Sequence, residues 1–272
     1  PEDLGNSTVQ TLNRRFDRAL AVSHATAGQL REAGVRADLV HVVHNAVNCE
    51  KIERLAKEPG DAPLPQRGEA SVVFAQVGVL APHKGQHVAI EALARVKDRC
   101  PAELWLVGEV ASGGDTSYRD RLVELVGRHG LQQRVKFLGW RRDVPRVLAA
   151  SDAAILPSLV PESFGMALVE GMILGKPSIG TTLGGVPEVI EDGQTGIVAA
   201  PEAAPFGEAI MQLATCAQRR DAMGAKARER ARGHFDAPRQ VAAISEELQN
   251  LIASGPKKRK ASGSAEPASA GR

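Results

Sequence analysis

The chain has 272 residues, of which 43% are hydrophobic and 24% charged, as in ordinary folded globular proteins. A net charge of only +2 and an aromatic content of 3% argue against a basic nucleic-acid surface and against stacking platforms for single strands. No run approaches the roughly 20 apolar residues of a membrane-spanning helix, and three scattered cysteines without a CxxC pair fit a reducing compartment.

Two strand–helix pairs are predicted at the start of the chain. Residues 1–48 contain a helix, a strand at 19–22, a second helix and a strand at 39–43. So few elements do not make a domain, and the chain begins with Pro1 rather than Met. We therefore interpret 1–48 as the end of a preceding domain with its hinge, and the chain as a fragment or processed form. The segment 57–71, rich in Pro and Gly, predicts a surface connection.

Six apolar runs follow, separated by amphipathic stretches with helical spacing. Continuous apolar strands that alternate with helices predict a parallel sheet covered on both faces. The prediction is therefore an α/β domain at residues 49–253, with a doubly wound, Rossmann-like sheet and C-terminal helices. The predicted core strands are 72–77, 103–107, 135–138, 153–156, 178–179 and 196–198.

The last segment, 254–272, is rich in Gly, Pro, Ser, Ala and Lys and has no periodicity, which predicts a disordered tail. Its run at 256–260 resembles a basic localisation signal, although a solubilising tail is the simpler interpretation. Three parts are thus predicted: a remnant with its hinge, one ligand-binding domain and a tail.

A glycine-containing turn, GVLAPHKG at residues 78–85, follows the first core strand. Such a turn leaves backbone N–H groups free at the positive end of a helix, and Lys84 adds a cation, so the turn suits a phosphate. Its spacing matches neither GxGxxG nor GxxxxGK[ST], which argues against a dehydrogenase or a P-loop protein. A tight loop with an exposed lysine is the alternative interpretation.

A second motif, PSLVPESFGMALVEG at residues 157–171, follows the fourth core strand. We expect Ser163 to cap a helix that starts near residues 164–165. Glu162 then lies just before the helix, and Glu170 lies about 10 Å along its axis. Open α/β sheets bind ligands at the carboxyl ends of their strands, so an extended ligand could touch both carboxylates. The alternative is a dipole partner and a solvated helix residue.

A third motif, GGVPE at residues 184–188, follows the fifth core strand. Paired glycines permit a close backbone approach, and Glu188 is expected at the start of the next helix. Alone, this pattern predicts a helix-entry turn whose carboxylate complements the helix dipole.

In this order, the motifs resemble the donor-binding domain of glycosyltransferase family 4, which has the GT-B fold and retains anomeric configuration. The resemblance covers PS…ESFG…EG…GKP at 157–177, GGVPEVI at 184–190 and DGQTG at 192–196. Upstream, HNAVN at 44–48 is similar to the hinge motif HNGVD, and VGVL…KG at 77–85 to vGRL…KG. The resemblance to the family extends from about residue 20 to residue 252. It implies that the chain is the C-terminal half of a GT-B protein with part of its N-terminal domain.

The resemblance also implies roles for the matched residues. Lys84 contacts the diphosphate, Glu162 faces the transferred sugar and Glu170 binds the ribose hydroxyls. Sugar or phosphate oxygens meet the amides of residues 164–167, and the base lies against residues 139–141. The catalytic residues implied are Glu162 and Lys84, and the donor-binding residues are Gly78, Lys84, Gly139, Arg141, Glu162, Phe164, Gly165, Met166, Ala167 and Glu170.

The implied activity is hexosyl transfer from a UDP- or GDP-linked sugar to a carbohydrate or lipid-linked acceptor, as in polysaccharide or glycolipid biosynthesis. The resemblance implies no metal and no cofactor, a nucleotide sugar as partner and no nucleic acid. It implies a cytoplasmic location, with peripheral association at the inner membrane as an alternative. Acceptor contacts come from the N-terminal domain, so this chain alone is expected to be inactive. Its C-terminal helix, 238–253, is expected to expose apolar surface.

Some positions depart from the family pattern. Val79 stands where the family has an arginine, which removes one of two expected phosphate cations, and His83 or Arg141 are candidates to replace it. Ala46 and Asn48 replace the hinge glycine and aspartate. The valine favours a second interpretation, in which the chain is a non-catalytic binding or scaffold protein. The presence of both glutamates and the lysine argues against this second interpretation. The spacing of those glutamates disfavours a third, a sugar-nucleotide epimerase of the same fold.

Overall fold

The computed structural model describes residues 5–60 and 62–254, so the predicted tail, apart from Ser254, lies outside the described residues. The strands carry the labels used below: β1 (Ala19–Ala21), β2 (Val40–Val42), β3 (Val72–Val77), β4 (Ala102–Val107), β5 (Val135–Gly139), β6 (Ala153–Leu156), β7 (Ser178–Thr181) and β8 (Gly196–Ala199).

The helices surround these strands, and short 3-10 turns lie at Ala37–Leu39 and Pro82–Lys84. None of the described helices is long and apolar enough to cross a membrane. The helices are α1 (Asn6–Arg15), α2 (His24–Glu32), α3 (Cys49–Leu55), α4 (Gln86–Val96), α5 (Ser117–His129), α6 (Val144–Ala150), α7 (Met166–Ile173), α8 (Val186–Val189), α9 (Ala203–Thr215), α10 (Ala217–Phe235) and α11 (Ala237–Ser254).

The central sheet has six parallel strands in the order β5-β4-β3-β6-β7-β8, which confirms the predicted doubly wound architecture. The first and fourth core strands, β3 and β6, are neighbours, and the winding reverses between them. At such a reversal the loops that leave the two strands diverge to opposite faces of the sheet and open a crevice between them. The motifs at 78–85 and 157–171 leave these two strands, so they meet at that crevice.

Helices cover both faces of this sheet. One core cluster includes Ile90 of α4, Leu122 of α5 and Phe206 of α9, and the other includes Met172 of α7 and Phe235 of α10. Every residue of β4 is buried. Strands covered on both faces need apolar side chains on both, which is why the sequence showed continuous runs rather than alternation.

The N-terminal segment forms a second, much smaller unit. Strands β1 and β2 pair in parallel, and Val9, Ala27 and Val35 lie in a small core beside them. A two-stranded sheet is marginally stable by itself. That residues 1–48 belong to a larger N-terminal domain stays a prediction.

Helix α11 connects the two units. Its Glu247 carboxylate lies 3.3 Å from the guanidinium of Arg18 and 3.2 Å from the ring of His41. Elsewhere the helix exposes an apolar stripe that includes Leu248, at 52% exposure, and Ile252, at 80%. This confirms the expected apolar surface on the C-terminal helix.

Candidate active site

The turn after β3 and the loop after β6 are in direct backbone contact. Gly85 has a left-handed backbone, with φ of +68°, and a Cβ atom there would lie 2.0 Å from the carbonyl oxygen of Pro157. Only glycine tolerates both the conformation and the approach. The contact brings Lys84, the residue before this glycine, to the loop that carries Glu162.

Lys84 and Glu162 form an ion pair in the crevice, with 2.7 Å between Nζ and Oε1. The same carboxylate oxygen accepts a hydrogen bond from the hydroxyl of Ser158, a fully buried residue. The Lys84 side chain is 23% exposed and that of Glu162 is 15% exposed, so a ligand in the crevice can still reach both. Gln76 of β3 donates to the Lys84 carbonyl at 2.7 Å and fixes the backbone of the turn.

Helix α7 starts in a way that differs from the prediction. Its N-cap is Gly165, with φ of +103°, and the helix begins at Met166, so the predicted cap at Ser163 is wrong. The backbone around Ser163 instead packs against the 184–188 turn, where a Cβ on Gly185 would lie 2.5 Å from the Ser163 carbonyl oxygen. This contact keeps Ser163 outside the helix. The left-handed backbone of Gly165 then directs the chain into α7.

The first turn of α7 presents backbone donors at the crevice. The amides of Leu168 and Val169 return to the Gly165 carbonyl, whereas the N–H groups of Met166 and Ala167 precede the first intrahelical bonds. Such groups lie at the positive end of the helix and bind anions. Phe164, two residues before the start of α7, is buried, with 2% of its surface exposed. The buried ring anchors the loop.

Glu170 lies further along α7 and is half-buried. Burial raises the pKa of its carboxyl above the ordinary value, and no charged or hydrogen-bonding group of the described chain offsets that burial. A carboxylate in this position gains most from a ligand that donates hydrogen bonds to it. Hydroxyl groups are such donors.

A cavity of about 600 Å³ opens at the carboxyl ends of β3, β4 and β5. Its walls are largely apolar, and Trp140, which is 66% exposed, stands at its edge. Gly139 ends β5 with φ of +67°, and a Cβ there would lie 3.4 Å from the Glu109 carboxylate. The lining residues include Val77, Gly78, Val79, Val107, Gly108, Glu109, Trp140 and Arg141.

Arg141 lines this cavity, but its guanidinium is engaged elsewhere. The side chain is 5% exposed and pairs with Asp143 at 2.7 Å, and its hydrogen bond lowers the pKa of that carboxyl. It also donates to the carbonyl of Ala62 at 2.7 Å, in the connection between the two units. The suggestion that Arg141 replaces the arginine missing at Val79 is therefore wrong, because its charge holds this connection in place.

Glu188 starts α8 as predicted, but its carboxylate faces another helix. It accepts hydrogen bonds from the amides of His24, at 2.8 Å, and Ala25, at 2.9 Å, at the start of α2. The ring of His44 lies 3.1 Å from the same carboxylate. Glu188 therefore links the N-terminal segment to the six-stranded domain. No local pattern signals this contact between residues so distant along the chain.

Residues 65–230 match the sequence profile described as Glycosyl transferases group 1, and the chain belongs to this family. It is 29% identical over 230 residues to the N-acetyl-alpha-D-glucosaminyl L-malate synthase of Bacillus anthracis, covering 82% of this chain and 57% of that protein. It is 30% identical over 235 residues to the D-inositol 3-phosphate glycosyltransferase of Corynebacterium efficiens, covering 84% and 53%. The chain spans about half the length of these curated relatives.

Solved structures have the same fold. HepE of Anabaena, in complex with UDP and glucose, is 30% identical and superposes with a TM-score of 0.78, covering 90% of this chain and 66% of HepE. The sucrose-phosphate synthase of Thermosynechococcus elongatus superposes with a TM-score of 0.75 at 21% identity, which shows the fold alone. The predicted fold and family are confirmed.

Proposed function

We propose that the protein transfers a hexose from a UDP- or GDP-linked sugar to a carbohydrate or lipid-linked acceptor, with retention of anomeric configuration. In this proposal the chain binds the donor. The observation that carries it is that an accessible lysine–glutamate pair lies at the reversal of the sheet, with its glutamate in the loop that leads into the first turn of α7. Glu170, in the next turn of α7, has no charge partner among the described residues.

The donor is proposed to lie along the crevice. Its diphosphate occupies the space between Lys84 and the first amides of α7, because both favour a phosphate. Glu170 accepts hydrogen bonds from the ribose hydroxyls, which compensate its burial. The base enters the apolar cavity beside Trp140. The structure of HepE in complex with UDP-glucose, at 30% identity, supports a UDP-linked donor.

In the proposed transfer, the protein stabilises both charges that develop in the transition state. As the bond between the anomeric carbon and the diphosphate breaks, negative charge grows on the diphosphate, where Lys84 and the α7 amides stabilise it. Positive charge grows on the sugar, which Glu162 orients and stabilises. The acceptor hydroxyl attacks the face that the diphosphate leaves and gives its proton to a departing phosphate oxygen. No metal and no cofactor is assigned to this step.

The acceptor and the location are proposals about the whole protein, because the chain spans about half the length of its curated relatives. Acceptor contacts are assigned to the part of the relatives that this chain does not span, so we expect the chain alone to bind donor without transferring sugar. We propose a cytoplasmic protein, with peripheral inner-membrane association if the acceptor is a lipid. The relatives named above are an N-acetyl-alpha-D-glucosaminyl L-malate synthase and a D-inositol 3-phosphate glycosyltransferase, so family membership alone does not define the acceptor.

Thermal unfolding with UDP, GDP and ADP tests donor binding. At a nucleotide concentration 100-fold above its dissociation constant, the free energy of unfolding rises by about 2.7 kcal/mol. We expect Lys84→Ala to reduce this gain to about 1 kcal/mol, because its affinity should fall about 30-fold. Lys51→Ala, a change of an exposed lysine outside the crevice, should leave the gain intact. Stabilisation by none of the nucleotides at millimolar concentration would overturn the proposal.

A non-catalytic binding protein of the same fold is the second candidate, and Val79 favours it because this residue replaces a phosphate-binding cation. Such a protein binds the nucleotide sugar without breaking it. Release of free UDP or GDP from the donor by the longer protein, with or without acceptor, separates the two candidates.

A further inference from the structure

Three metal-ligating side chains converge where the N-terminal segment meets the six-stranded domain. His24 opens α2, His44 follows β2, and Glu188 lies in α8. One ligand atom from each side chain lies within 4.8 Å of the other two. We propose that His24, His44 and Glu188 bind a divalent transition-metal ion of the zinc type, at a site separate from the proposed donor site.

The Glu188 carboxylate is already positioned as a ligand. The amides of His24 and Ala25 hold its two oxygens at 2.8 and 2.9 Å. These two backbone hydrogen bonds and the contact with the His44 ring fix the orientation of the carboxylate. An ionised carboxylate offers about four lone-pair sites, so capping α2 leaves room for a metal.

The His44 ring pairs with the Glu188 carboxylate at a distance close to that between two donors on one metal ion. Its Nε2 atom lies 3.1 Å from a Glu188 oxygen. Zinc binds nitrogen and oxygen at about 2.0–2.2 Å, so two donors on one tetrahedral ion are about 3.3 Å apart. The ring packs against Phe164, with centroids 5.5 Å apart, and against Phe235, at 5.9 Å.

The His24 ring supplies the third ligand. Its centroid lies 5.9 Å from that of His44, and within the described ranges its imidazole makes no hydrogen bond or ion pair. Because the residue is exposed, its ring can close the remaining distance by rotation about its side-chain bonds. Two imidazoles and one carboxylate form a recognised zinc ligand set, and water completes the fourth position.

The three ligands come from separate elements, so a bound ion would fasten the N-terminal segment to the six-stranded domain. The turn before α8 also touches the crevice, because the amide of Gly185 donates to the carbonyl of Glu162 at 2.8 Å. A metal at Glu188 would therefore stiffen the backbone beside the lysine–glutamate pair. The proposed role of the ion is to hold the hinge between the two units.

Metal titration of the purified 272-residue chain, after removal of metals with EDTA, tests the site. Co²⁺ should bind with one ion per chain and give the visible absorption of a low-coordinate nitrogen and oxygen site, and Zn²⁺ should displace it. His24→Ala should weaken binding by more than about tenfold, since losing even an outer-shell partner typically costs that much. His24 is exposed, so this variant is expected to keep its fold.

Two matched variants serve as controls. His129→Ala removes a histidine far from the cluster, and Cys216→Ser removes the most accessible thiol, so both should bind Co²⁺ like the unmodified chain. Zn²⁺ should raise the unfolding temperature of the unmodified chain and both controls but not that of His24→Ala. Equal Co²⁺ affinity in His24→Ala and the unmodified chain, or no binding below millimolar concentration, would overturn the proposal.

Discussion

The loop after β6 and the second turn of α7 each carry a glutamate, and the two are held in opposite ways. Glu162, in the loop, pairs with Lys84 and accepts a hydrogen bond from Ser158. Glu170, in the helix, is half-buried with no offsetting group in the described chain, and burial raises the pKa of its carboxyl. Eight positions separate the two glutamates, yet within the described residues only Glu162 has its charge compensated by a neighbouring group.

The difference separates what the fold needs from what a ligand supplies. The Lys84–Glu162 pair helps to join two loops, so its geometry exists before any ligand binds. The unpaired Glu170 destabilises the empty protein and is compensated only by donors that arrive with a ligand. A site with both features is preorganised at the Lys84–Glu162 pair. At Glu170 its charge is compensated only when a ligand binds. Four substitutions test this comparison.

The largest effect is expected from Gly85→Ala. A methyl group there meets the Pro157 carbonyl and forces a left-handed alanine, so the free energy of unfolding should fall by about 3 kcal/mol. Urea denaturation measures the change. The control is Gly233→Ala in α10, where a methyl group enters open space and should stabilise the helix by about 0.5–1 kcal/mol. Equal stabilities of the two variants would contradict the proposed loop contact.

Lys84→Met should mainly affect binding. Losing one charged hydrogen bond to the diphosphate costs about 2 kcal/mol, so the dissociation constant for UDP should rise about 30-fold. Isothermal titration calorimetry measures it, with Lys51→Met as the control. An affinity within about twofold of the unmodified chain would show that Lys84 does not contact the nucleotide.

Glu170→Gln should weaken UDP binding about tenfold, because a neutral acceptor replaces a charged one. It should also stabilise the empty protein at neutral pH. A folded pKa above the unfolded value means that ionisation favours the unfolded state, and this penalty is absent below the unfolded pKa of about 4.3.

The unfolding temperature of Glu170→Gln should therefore exceed that of the unmodified chain at pH 7.5, and the gap should close towards pH 4. Glu124→Gln, at an exposed position in α5, should show neither effect. A stability gap that is independent of pH would rule out the buried carboxylate as its cause.

The smallest effect is expected from Val79→Arg. This substitution restores a cation beside the proposed diphosphate, and an accessible charge pair contributes up to about 1 kcal/mol, so UDP affinity should rise about three- to fivefold. Val79→Leu is the uncharged control. The gain should shrink in high salt, and a gain that salt leaves unchanged would argue against a charge effect.

Much of the architecture could be predicted because its signals are local. Strands β3 and β6 match their predicted bounds, since doubly covered strands need continuous apolar runs. Ligand binding at the carboxyl ends of two adjacent strands follows from the same pattern. The start of α7 differs from the prediction, because its cap is set by the turn at Gly165 rather than by the nearest serine.

The contacts that escaped prediction join residues far apart in the chain. The sequence offers Arg141 as a candidate to replace the phosphate-binding arginine missing at Val79, but its guanidinium holds the connection at Ala62. The local pattern predicts that Glu188 complements the dipole of its own helix, but its carboxylate accepts a hydrogen bond from the start of α2, at His24, 164 positions away. Ser158 lies within a predicted motif, yet its bond to Glu162 depends on how the loop closes. Local periodicity contains no information on these pairings.

The most direct test of the central claim is the location of UDP on this chain. In ¹H–¹⁵N NMR spectra recorded during a UDP titration, we expect the amide resonances of Gly78, Gly165, Met166 and Ala167 to shift together and to saturate. The resonance of Gly233, in α10, should stay in place. Shifts confined to other parts of the chain, or no shifts at millimolar UDP, would contradict the assignment of the crevice as the donor site.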